Sequence, residues 1–231
     1  RIRENTETIA QLETRNVGKP IGDARWEADA GAKVFDYYAG AIGHLCGQTI
    51  PVARGGFDFT LRQPMGGIAA ITPWNFPFLI ACWKVAPALA AGNPVVLKPA
   101  SLTPLTALLL GQLAQEAGLP DGVLQVVPGA GSEAGNALAT HPLVRKIGFT
   151  GSTEIGAKIM KLAANDIKRV SLELGAKSPN IVFADADWER ATAESPMSVF
   201  ANTGQDCCAR SRMFIEQPIF DDFVNQFVAA T

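Results

Sequence analysis

The sequence has little of what a metal site, a disulfide framework or a membrane span requires. Its 231 residues include only four cysteines and two histidines. The cysteines have no CxxC spacing and two of them are adjacent, so we expect neither a disulfide framework nor a metal site. Unbridged thiols are typical of the cytoplasm, which is the expected location. The most apolar run, 78–92, contains Lys84 and Pro87 and is shorter than the ~20 residues of a membrane helix, so no membrane partner is expected.

Charge is also scarce in this chain. Charged residues make up 18% of it, apolar residues make up 48%, and the net charge is -2. This composition predicts a globular protein and gives no reason to expect a nucleic-acid partner. The length suits one large domain or two small ones. Because the chain lacks an initiator Met and ends just behind an amphipathic stretch, we expect a segment of a longer protein, without a signal peptide.

Short β-rich runs alternate with helical stretches from residue 64 onward. The predicted strands are 67–71, 94–97, 123–127, 146–149, 170–174 and 180–183. The predicted helices between them are 78–91, 104–116, 132–139, 154–164 and 188–201. This alternation predicts an α/β fold with a mostly parallel sheet that helices cover on both faces. Before it, the pattern predicts a helix over 23–41 and an irregular β-hairpin over 47–63.

The stretch 200–210, Phe-Ala-Asn-Thr-Gly-Gln-Asp-Cys-Cys-Ala-Arg, is the most informative in the chain. A thiol attacks carbon as the thiolate and needs a base nearby. Glu173, in a short apolar strand, is a lone acid 34 positions before Cys207. Together the cysteine and the carboxylate indicate covalent chemistry on a carbonyl. The alternative, a cysteine that only fills the core, fits poorly with the polar approach through Gly204 and Asp206.

Three positions lie where predicted strands end, and each has two interpretations. The glycine-rich turn at Gly151 opens a helix, and its backbone either binds a phosphate or only turns the chain. Lys98 ends a buried strand at the edge where open α/β sheets bind ligands, or it is simply a solvated lysine. Asn75 stands between two prolines, and its amide either stabilises an oxyanion or caps the following helix.

Five stretches together resemble the aldehyde dehydrogenase superfamily. They are Thr-Pro-Trp-Asn-Phe-Pro at 72–77, Leu-Lys-Pro-Ala at 97–100, Phe-Thr-Gly-Ser-Thr-Glu-Ile-Gly at 149–156, Leu-Glu-Leu-Gly at 172–175, and the stretch 200–207. All five occur in the order and spacing of the family, and the resemblance covers essentially the whole chain. It implies an open, mostly parallel Rossmann-like sheet with helices on both faces, an N-terminal helix and part of an oligomerisation hairpin.

Carried over position by position, the resemblance implies an NAD(P)-dependent aldehyde dehydrogenase. Cys207, the third residue after Gly204, is similar to the family's nucleophile. Glu173 resembles the general base that activates water. Asn75, together with the backbone N–H of Cys207, resembles the oxyanion hole. The implied reaction oxidises an aldehyde to a carboxylic acid through a thiohemiacetal and then a thioester on the cysteine.

The resemblance also implies which residues bind the ligands. The positions similar to those that bind the cofactor, NADP or NAD, are Ile71, Trp74, Lys98, Ser101, Gly131, Gly151 and Ser152. The positions similar to those that line the aldehyde pocket are Phe76, Leu79, Trp83 and Asp206. Ser101 stands where NAD-preferring relatives often carry glutamate, which favours NADP or dual use. Asp206 would repel a carboxylate, which favours a neutral or cationic aldehyde over an anionic semialdehyde.

Four parts of the chain follow from the same resemblance. They are 1–46, the N-terminal helical part of the cofactor domain; 47–64, part of the oligomerisation hairpin; 65–175, the dinucleotide-binding domain; and 176–231, the start of the catalytic domain.

Intact relatives are dimers or tetramers, so a homo-oligomer is expected. Since the family is about twice this long, full activity is not expected of this chain alone. The alternative interpretation is a catalytically incomplete NAD(P)-binding fragment or assembly module. One departure, Ala176 where the family usually has a second glycine, stands close to Glu173.

Overall fold

The computed structural model describes all 231 residues, in nine strands and nine α-helices. The strands are β1 Thr49–Ile50, β2 Asp58–Phe59, β3 Gly67–Ile71, β4 Val95–Lys98, β5 Leu124–Val126, β6 Val144–Gly151, β7 Arg169–Leu174, β8 Pro179–Val182 and β9 Arg212–Ile215. The helices are α1 Thr6–Val17, α2 Ile21–Ala41, α3 Pro77–Ala90, α4 Leu105–Glu116, α5 Asn136–Thr140, α6 Thr153–Ala164, α7 Trp188–Glu194, α8 Met197–Gly204 and α9 Phe220–Ala229. The chain divides into two compact units, residues 1–173 and residues 174–231, called here the first unit and the second unit.

A five-stranded sheet lies at the centre of the first unit, in the order β5-β4-β3-β6-β7. Strand β3 pairs in parallel with β4 and with β6, and β4 pairs in parallel with β5. The last four residues of β3, Ile-Ala-Ala-Ile, are all buried, as a central strand of a parallel sheet requires. The predicted α/β fold with its parallel sheet is confirmed. Because the chain runs outward from β3 in one direction and resumes with β6 on the other side, the topological switch point lies between β3 and β6.

Helix α3 packs closely against α2. A Cβ added at Gly31 would lie only 2.7 Å from Phe78 Cε1 and 3.0 Å from Cys82 Sγ, so glycine is required at this crossing. Burial raises the pKa of the Cys82 thiol, which identifies Cys82 as an inert core residue. None of the helices combines the length and the apolar character that crossing a membrane requires.

The predicted hairpin forms from β1 and β2, which are antiparallel and only two residues long. Gly55 and Gly56, with φ angles of 59° and 131°, turn the chain between them. The apolar side chains of the hairpin are exposed, and Phe57 reaches 75% exposure.

The predicted helix 132–139 begins as a π-helical turn, Gly131–Gly135, before α5. Two further differences concern other helices. Helix α1 was not predicted, because its sequence is mostly polar and one of its polar residues, Glu13, is completely buried. A buried carboxylate conceals the apolar periodicity on which such a prediction depends. The single helix predicted over 188–201 is wrong: two helices, α7 and α8, form instead. Pro196 lacks an N–H donor and stands between them, at the N-cap of α8.

The second unit is built around a smaller sheet. Strands β8 and β9 pair in parallel, with Val182 opposite Ile215. The buried apolar residues that join this pair to α9 are Val182, Ile219 and Phe223.

Candidate functional site

The carboxyl ends of adjacent strands bring together three of the residues expected to bind the cofactor. Ile71 ends β3, Lys98 ends β4 and Gly151 ends β6. Ile71 is the register partner of Lys98 on one side and of Phe149 on the other. These positions therefore share one edge of the sheet, at the switch point where open α/β sheets bind ligands.

Lys98 is buried rather than solvated. Its side chain is 4% exposed, and its Nζ donates a hydrogen bond to the carbonyl of Pro99 at 2.8 Å. Burial lowers the pKa of the Lys98 ammonium. An ammonium has three N–H donors, so donors remain for a ligand at the sheet edge. The interpretation of Lys98 as a solvated lysine is wrong.

Gly151 and Ser152 form the turn from β6 into α6. A Cβ on Gly151 would lie 2.5 Å from Cζ of Phe149, so the aromatic ring of its own strand excludes any larger residue here. Ser152 is the N-cap of α6, and its Oγ accepts a hydrogen bond from the backbone N–H of Ile155 at 3.3 Å. The first turn of a twelve-residue helix, with its positive potential, follows this edge of the sheet directly.

Ser101 connects the segments that follow β4 and β5. Its hydroxyl donates a hydrogen bond to the carbonyl of Gly129 at 2.9 Å. Gly131 begins a short π-helical turn, Gly131–Gly135, and is exposed. Trp74 is 44% exposed and lies in the segment that follows β3. All seven of the expected cofactor residues thus belong to the first unit.

Asn75 and Phe76 stand just before α3. Both side chains are partly buried, and Phe76 occupies the N-cap position with φ −132° and ψ 60°. Among the residues expected to line the aldehyde pocket, Trp83 is 53% exposed, whereas Leu79 is 2% exposed and already covered by the first unit. The helix presents Trp83 to its surroundings and directs Leu79 into the core.

The turn that precedes Cys207 is an unusual backbone. Asn202, Thr203 and Gly204, at the end of α8, have φ angles of 51°, 57° and 77°, so this part of α8 is not regular helix. For a β-branched residue such as Thr203 this left-handed conformation is strained. The Thr203 hydroxyl donates to the Asn202 carbonyl at 2.6 Å, and the Gln205 amide donates to the same carbonyl at 3.1 Å and to the Thr203 hydroxyl. These local hydrogen bonds therefore stabilise the turn that precedes Cys207.

The Cys207 thiol is partly buried and free. Its Sγ lies 3.7 Å from Sγ of Cys208, and the backbone N–H of Cys208 donates to Asp206 Oδ1 at 2.9 Å. Burial, followed by the Cys208 thiol and the Asp206 charge, raises the pKa of Cys207 to about 11. This thiol is protonated at neutral pH and needs a proton acceptor to react. The Sγ atoms of Cys207 and Cys208 and a carboxylate oxygen of Asp206 all lie within 4.8 Å of one another.

Glu173 lies in β7, is exposed, and is the last residue of the first unit. A residue that the sequence reasoning missed, Lys84 of α3, is its electrostatic neighbour. Burial lowers the pKa of Lys84 to about 8, the Glu173 charge raises it, and Lys146 lowers it further. The available signal was a lysine in the most apolar run of the chain.

The expected catalytic residues are divided between the units. Asn75 and Glu173 belong to the first, and Cys207 belongs to the second.

Comparison with known proteins identifies the family. The sequence pattern of the aldehyde dehydrogenase family matches residues 1–231. The chain belongs to this family. Over 229 residues it is 48% identical to human retinal dehydrogenase 2, covering 98% of this chain and 44% of the relative. Over 230 residues it is 45% identical to bovine (Bos taurus) 4-trimethylaminobutyraldehyde dehydrogenase, covering 100% of this chain and 46% of that enzyme.

Solved structures of the family show the same fold. The crystal structure of an E. coli NADP-dependent enzyme matches with a TM-score of 0.97 at 43% identity, covering 99% of this chain and 48% of that one. The crystal structure of PnpE in complex with nicotinamide adenine dinucleotide matches with a TM-score of 0.96 at 45% identity, covering 99% of this chain and 47% of that one. The aldehyde dehydrogenase chain described here spans a little under half the length of the relatives it matches.

Proposed function

We propose that this chain is the cofactor-binding and nucleophile-bearing part of an enzyme that oxidises aldehydes to carboxylic acids with NAD(P)⁺. One observation carries the proposal. Within a family match that runs through all 231 residues, the strand ends place Ile71, Lys98 and Gly151 on one edge of a parallel sheet at its switch point. This is the position at which an open α/β sheet binds a dinucleotide.

The residues at this edge fit a dinucleotide. Lys98 keeps a buried ammonium with donors suited to ribose hydroxyls, and the N-terminus of α6 at Ser152 suits a pyrophosphate. Ile71 and Trp74 supply apolar surface beside them. When bound, the nicotinamide supplies the acceptor for hydride. The remaining chemistry belongs to side chains of the protein.

Cys207 is the proposed nucleophile. The thiol gives up its proton and forms a C–S bond to the aldehyde carbon, and the carbonyl oxygen becomes an oxyanion. Asn75 and the Cys207 backbone N–H stabilise that oxyanion. Loss of hydride from the same carbon leaves a thioester on Cys207. Because the surroundings within the second unit favour the protonated thiol, activation requires a base from outside that turn.

Glu173 is the proposed general base of the second half-reaction. It takes a proton from water, the hydroxide attacks the thioester carbon, and the C–S bond breaks to release the carboxylic acid. Lys84, whose pKa burial lowers to about 8, interacts electrostatically with the Glu173 charge.

The cofactor preference proposed here is NADP or dual use. Support comes from Ser101, a neutral residue that does not repel a 2′-phosphate. Its proton is committed to the Gly129 carbonyl, so binding a phosphate at Ser101 requires the hydroxyl to turn away from that bond. Both cofactors occur among the solved relatives, one NADP-dependent and one in complex with NAD.

The proposed substrate is a neutral or cationic aldehyde. Phe76, Trp83 and Asp206 are the residues proposed to contact it, whereas Leu79 is buried in the core of the first unit. Asp206 lies next to the nucleophile and would repel an anionic substrate. The two curated relatives are named for retinal and for 4-trimethylaminobutyraldehyde. A preference for an anionic semialdehyde would contradict this proposal.

We further propose a cytoplasmic homo-oligomer, a dimer or tetramer when intact, assembled in part through the hairpin region 47–64. The exposed apolar side chains of that region support this proposal, because they lack cover within the chain. The proposed domains are the four parts predicted from the sequence, 1–46, 47–64, 65–175 and 176–231.

A second candidate function is cofactor binding without catalysis. Every expected cofactor residue lies in the first unit, whereas the nucleophile lies in the small second unit. Absorbance of reduced nicotinamide, measured with an aldehyde panel and either NAD⁺ or NADP⁺, distinguishes the two. Reduction by this chain that disappears in Cys207→Ser supports catalysis by the chain itself. Reduction only by a full-length protein shows that this chain alone does not catalyse the reaction, and no reduction by either contradicts the proposed activity.

A further inference from the structure

A cluster of buried charges lies in the first unit and plays no part in the mechanism above. Its members, Lys19, Glu13 and Glu27, are at most 1% exposed and are called here the Lys19 cluster. Lys19 Nζ forms an ion pair with Glu27 Oε1 and lies 3.8 Å from Glu13 Oε2. Buried ions are costly unless they are paired, and apolar residues of similar volume often replace them without loss of stability. Stability alone therefore does not explain why three ionisable groups occupy this position.

The charges of the Lys19 cluster are not balanced. One ammonium faces two carboxyl groups, and neither Glu13 Oε2 nor Glu27 Oε2 accepts a hydrogen bond. Burial raises the pKa of Glu27 to about 7, against the charge of Lys19. Burial also raises the pKa of Glu13, although the Thr106 hydroxyl, the Lys19 charge and the Phe78 backbone each lower it. Lys19 is thus the cation that faces two carboxyl groups whose charged forms are disfavoured by burial.

The Lys19 cluster touches the segment that carries Asn75. Lys19 Nζ lies 4.2 Å from the centroid of the Phe76 ring, within the range of a cation–π contact. Phe76 directly follows Asn75 and forms the N-cap of α3. On the far side, the Thr106 hydroxyl of α4 donates to Glu13 at 2.5 Å. The cluster therefore links α1, α2 and α4 to the start of α3.

Prolines restrain the backbone on either side of this segment, because Pro73 and Pro77 have fixed φ angles. Between them, Phe76 adopts a conformation that is neither helical nor extended, with φ −132° and ψ 60°. A contact that fixes the Phe76 ring also fixes the peptide that joins it to Asn75. Lys19 makes that contact.

We propose that Lys19 is a positioning residue, which holds the Phe76 ring and thereby orients the Asn75 amide toward the oxyanion. The proposal rests on the proposed function of Asn75. Lys19 does not touch substrate; it acts through Phe76.

A double-mutant cycle in the full-length protein tests this role. Lys19→Met is combined with Glu27→Leu, which removes the carboxylate of the direct ion pair together with the ammonium, while Glu13 keeps its hydrogen bond from Thr106. We expect this pair of changes to lower kcat about tenfold in the wild-type background, and to cause no further loss in an Asn75→Ala background. A purely structural role would lower kcat by the same factor in both backgrounds, and that result, or no loss at all, overturns the proposal.

Two further variants make the test decisive. Arg25→Ala breaks the exposed ion pair with Glu7, which also joins α1 to α2, and we expect kcat to stay unchanged. If the paired Lys19 and Glu27 changes prevent folding, Phe76→Leu removes the ring and keeps the charges. Its loss of kcat should also vanish in the Asn75→Ala background. If Asn75→Ala alone leaves kcat unchanged, the proposed role of Asn75 fails and this inference fails with it; an additive cycle overturns only the inference.

Discussion

The two units of this aldehyde dehydrogenase chain differ in how they hold their functional residues. In the first unit, Lys98 and Gly151 are fixed by a five-stranded sheet over a cluster of 13 buried apolar residues. In the second, the cluster beneath β8 and β9 has three buried residues. Cys207 depends on a strained turn with its own hydrogen bonds. Since each fully buried Val, Leu, Ile or Phe side chain contributes roughly 1.5 to 3 kcal/mol, the sheet edge that carries Lys98 is far better supported than the turn that carries Cys207.

The largest expected effect is on activity, from a substitution in the second unit that leaves cofactor binding by the first unit intact. Cys207→Ser in the full-length protein should lower aldehyde-dependent reduction by at least about 10³-fold, because a serine hydroxyl is a much weaker nucleophile than a thiolate. Calorimetry on this chain should find NAD(P)⁺ binding unchanged. Cys208→Ser is the matched control and should keep its activity. Equal losses in both cysteine variants would contradict the assignment of the nucleophile.

A substitution in the core of the second unit tests the difference in stability between the two units. Phe223→Ala in the second unit should cost about 3 to 5 kcal/mol, a large part of what its small core supplies. Hydrogen exchange should then show residues 174–231 losing protection while residues 1–173 keep theirs. Ile147→Ala, buried in β6, is the counterpart in the first unit and should instead weaken cofactor binding. Loss of protection in both units from Phe223→Ala would show that they unfold as one.

The cofactor edge is tested by Lys98→Met. Removing a charged hydrogen-bond donor should weaken NAD(P)⁺ binding by about 1.5 to 3 kcal/mol, or roughly ten- to a hundredfold. Calorimetry on this chain measures the loss directly. Lys33→Met, which removes an exposed lysine paired with Asp29, is the control and should bind as the wild type does. Unchanged binding by the Lys98 variant would remove Lys98 from the cofactor site.

The smallest expected effect concerns the choice between the two cofactors. Ser101→Glu should shift the ratio of NADP⁺ to NAD⁺ affinity toward NAD⁺ by about tenfold, because the new carboxylate repels a 2′-phosphate. The two dissociation constants, measured on this chain, give the ratio. A variant with an unchanged ratio would place the 2′ position of the ribose away from Ser101.

The sequence predicted the strands of the first unit well and its charged residues poorly. Strand β3 occurs over the residues predicted for it, because a run of small apolar residues between turn residues has few alternatives. Helix α1 and the burial of Glu13 were not predictable, since this carboxylate is buried only because Lys19 and a residue far along the chain, Thr106, interact with it. The burial of Lys98 likewise depends on neighbouring strands and not on local pattern.

The functional site was also only partly predictable from the sequence. The motifs named Cys207, Glu173 and Asn75 from their sequence alone, but the left-handed turn at Thr203 was invisible, because nothing in a threonine predicts a positive φ angle. Lys84 was visible only as an interruption of an apolar run. The proximity of Lys84 to Glu173 comes from the packing of α3 against the sheet.

The most direct test of aldehyde oxidation through Cys207 is to trap the acyl-enzyme. Glu173→Gln in the full-length protein blocks the proposed activation of water, so the thioester should accumulate after one turnover with aldehyde and NAD(P)⁺. Mass spectrometry of the digested protein should find the acyl group on the peptide that contains Cys207, in step with one equivalent of reduced nicotinamide. Reduced nicotinamide formed with no acyl group on Cys207, or with the group on another residue, would contradict the account.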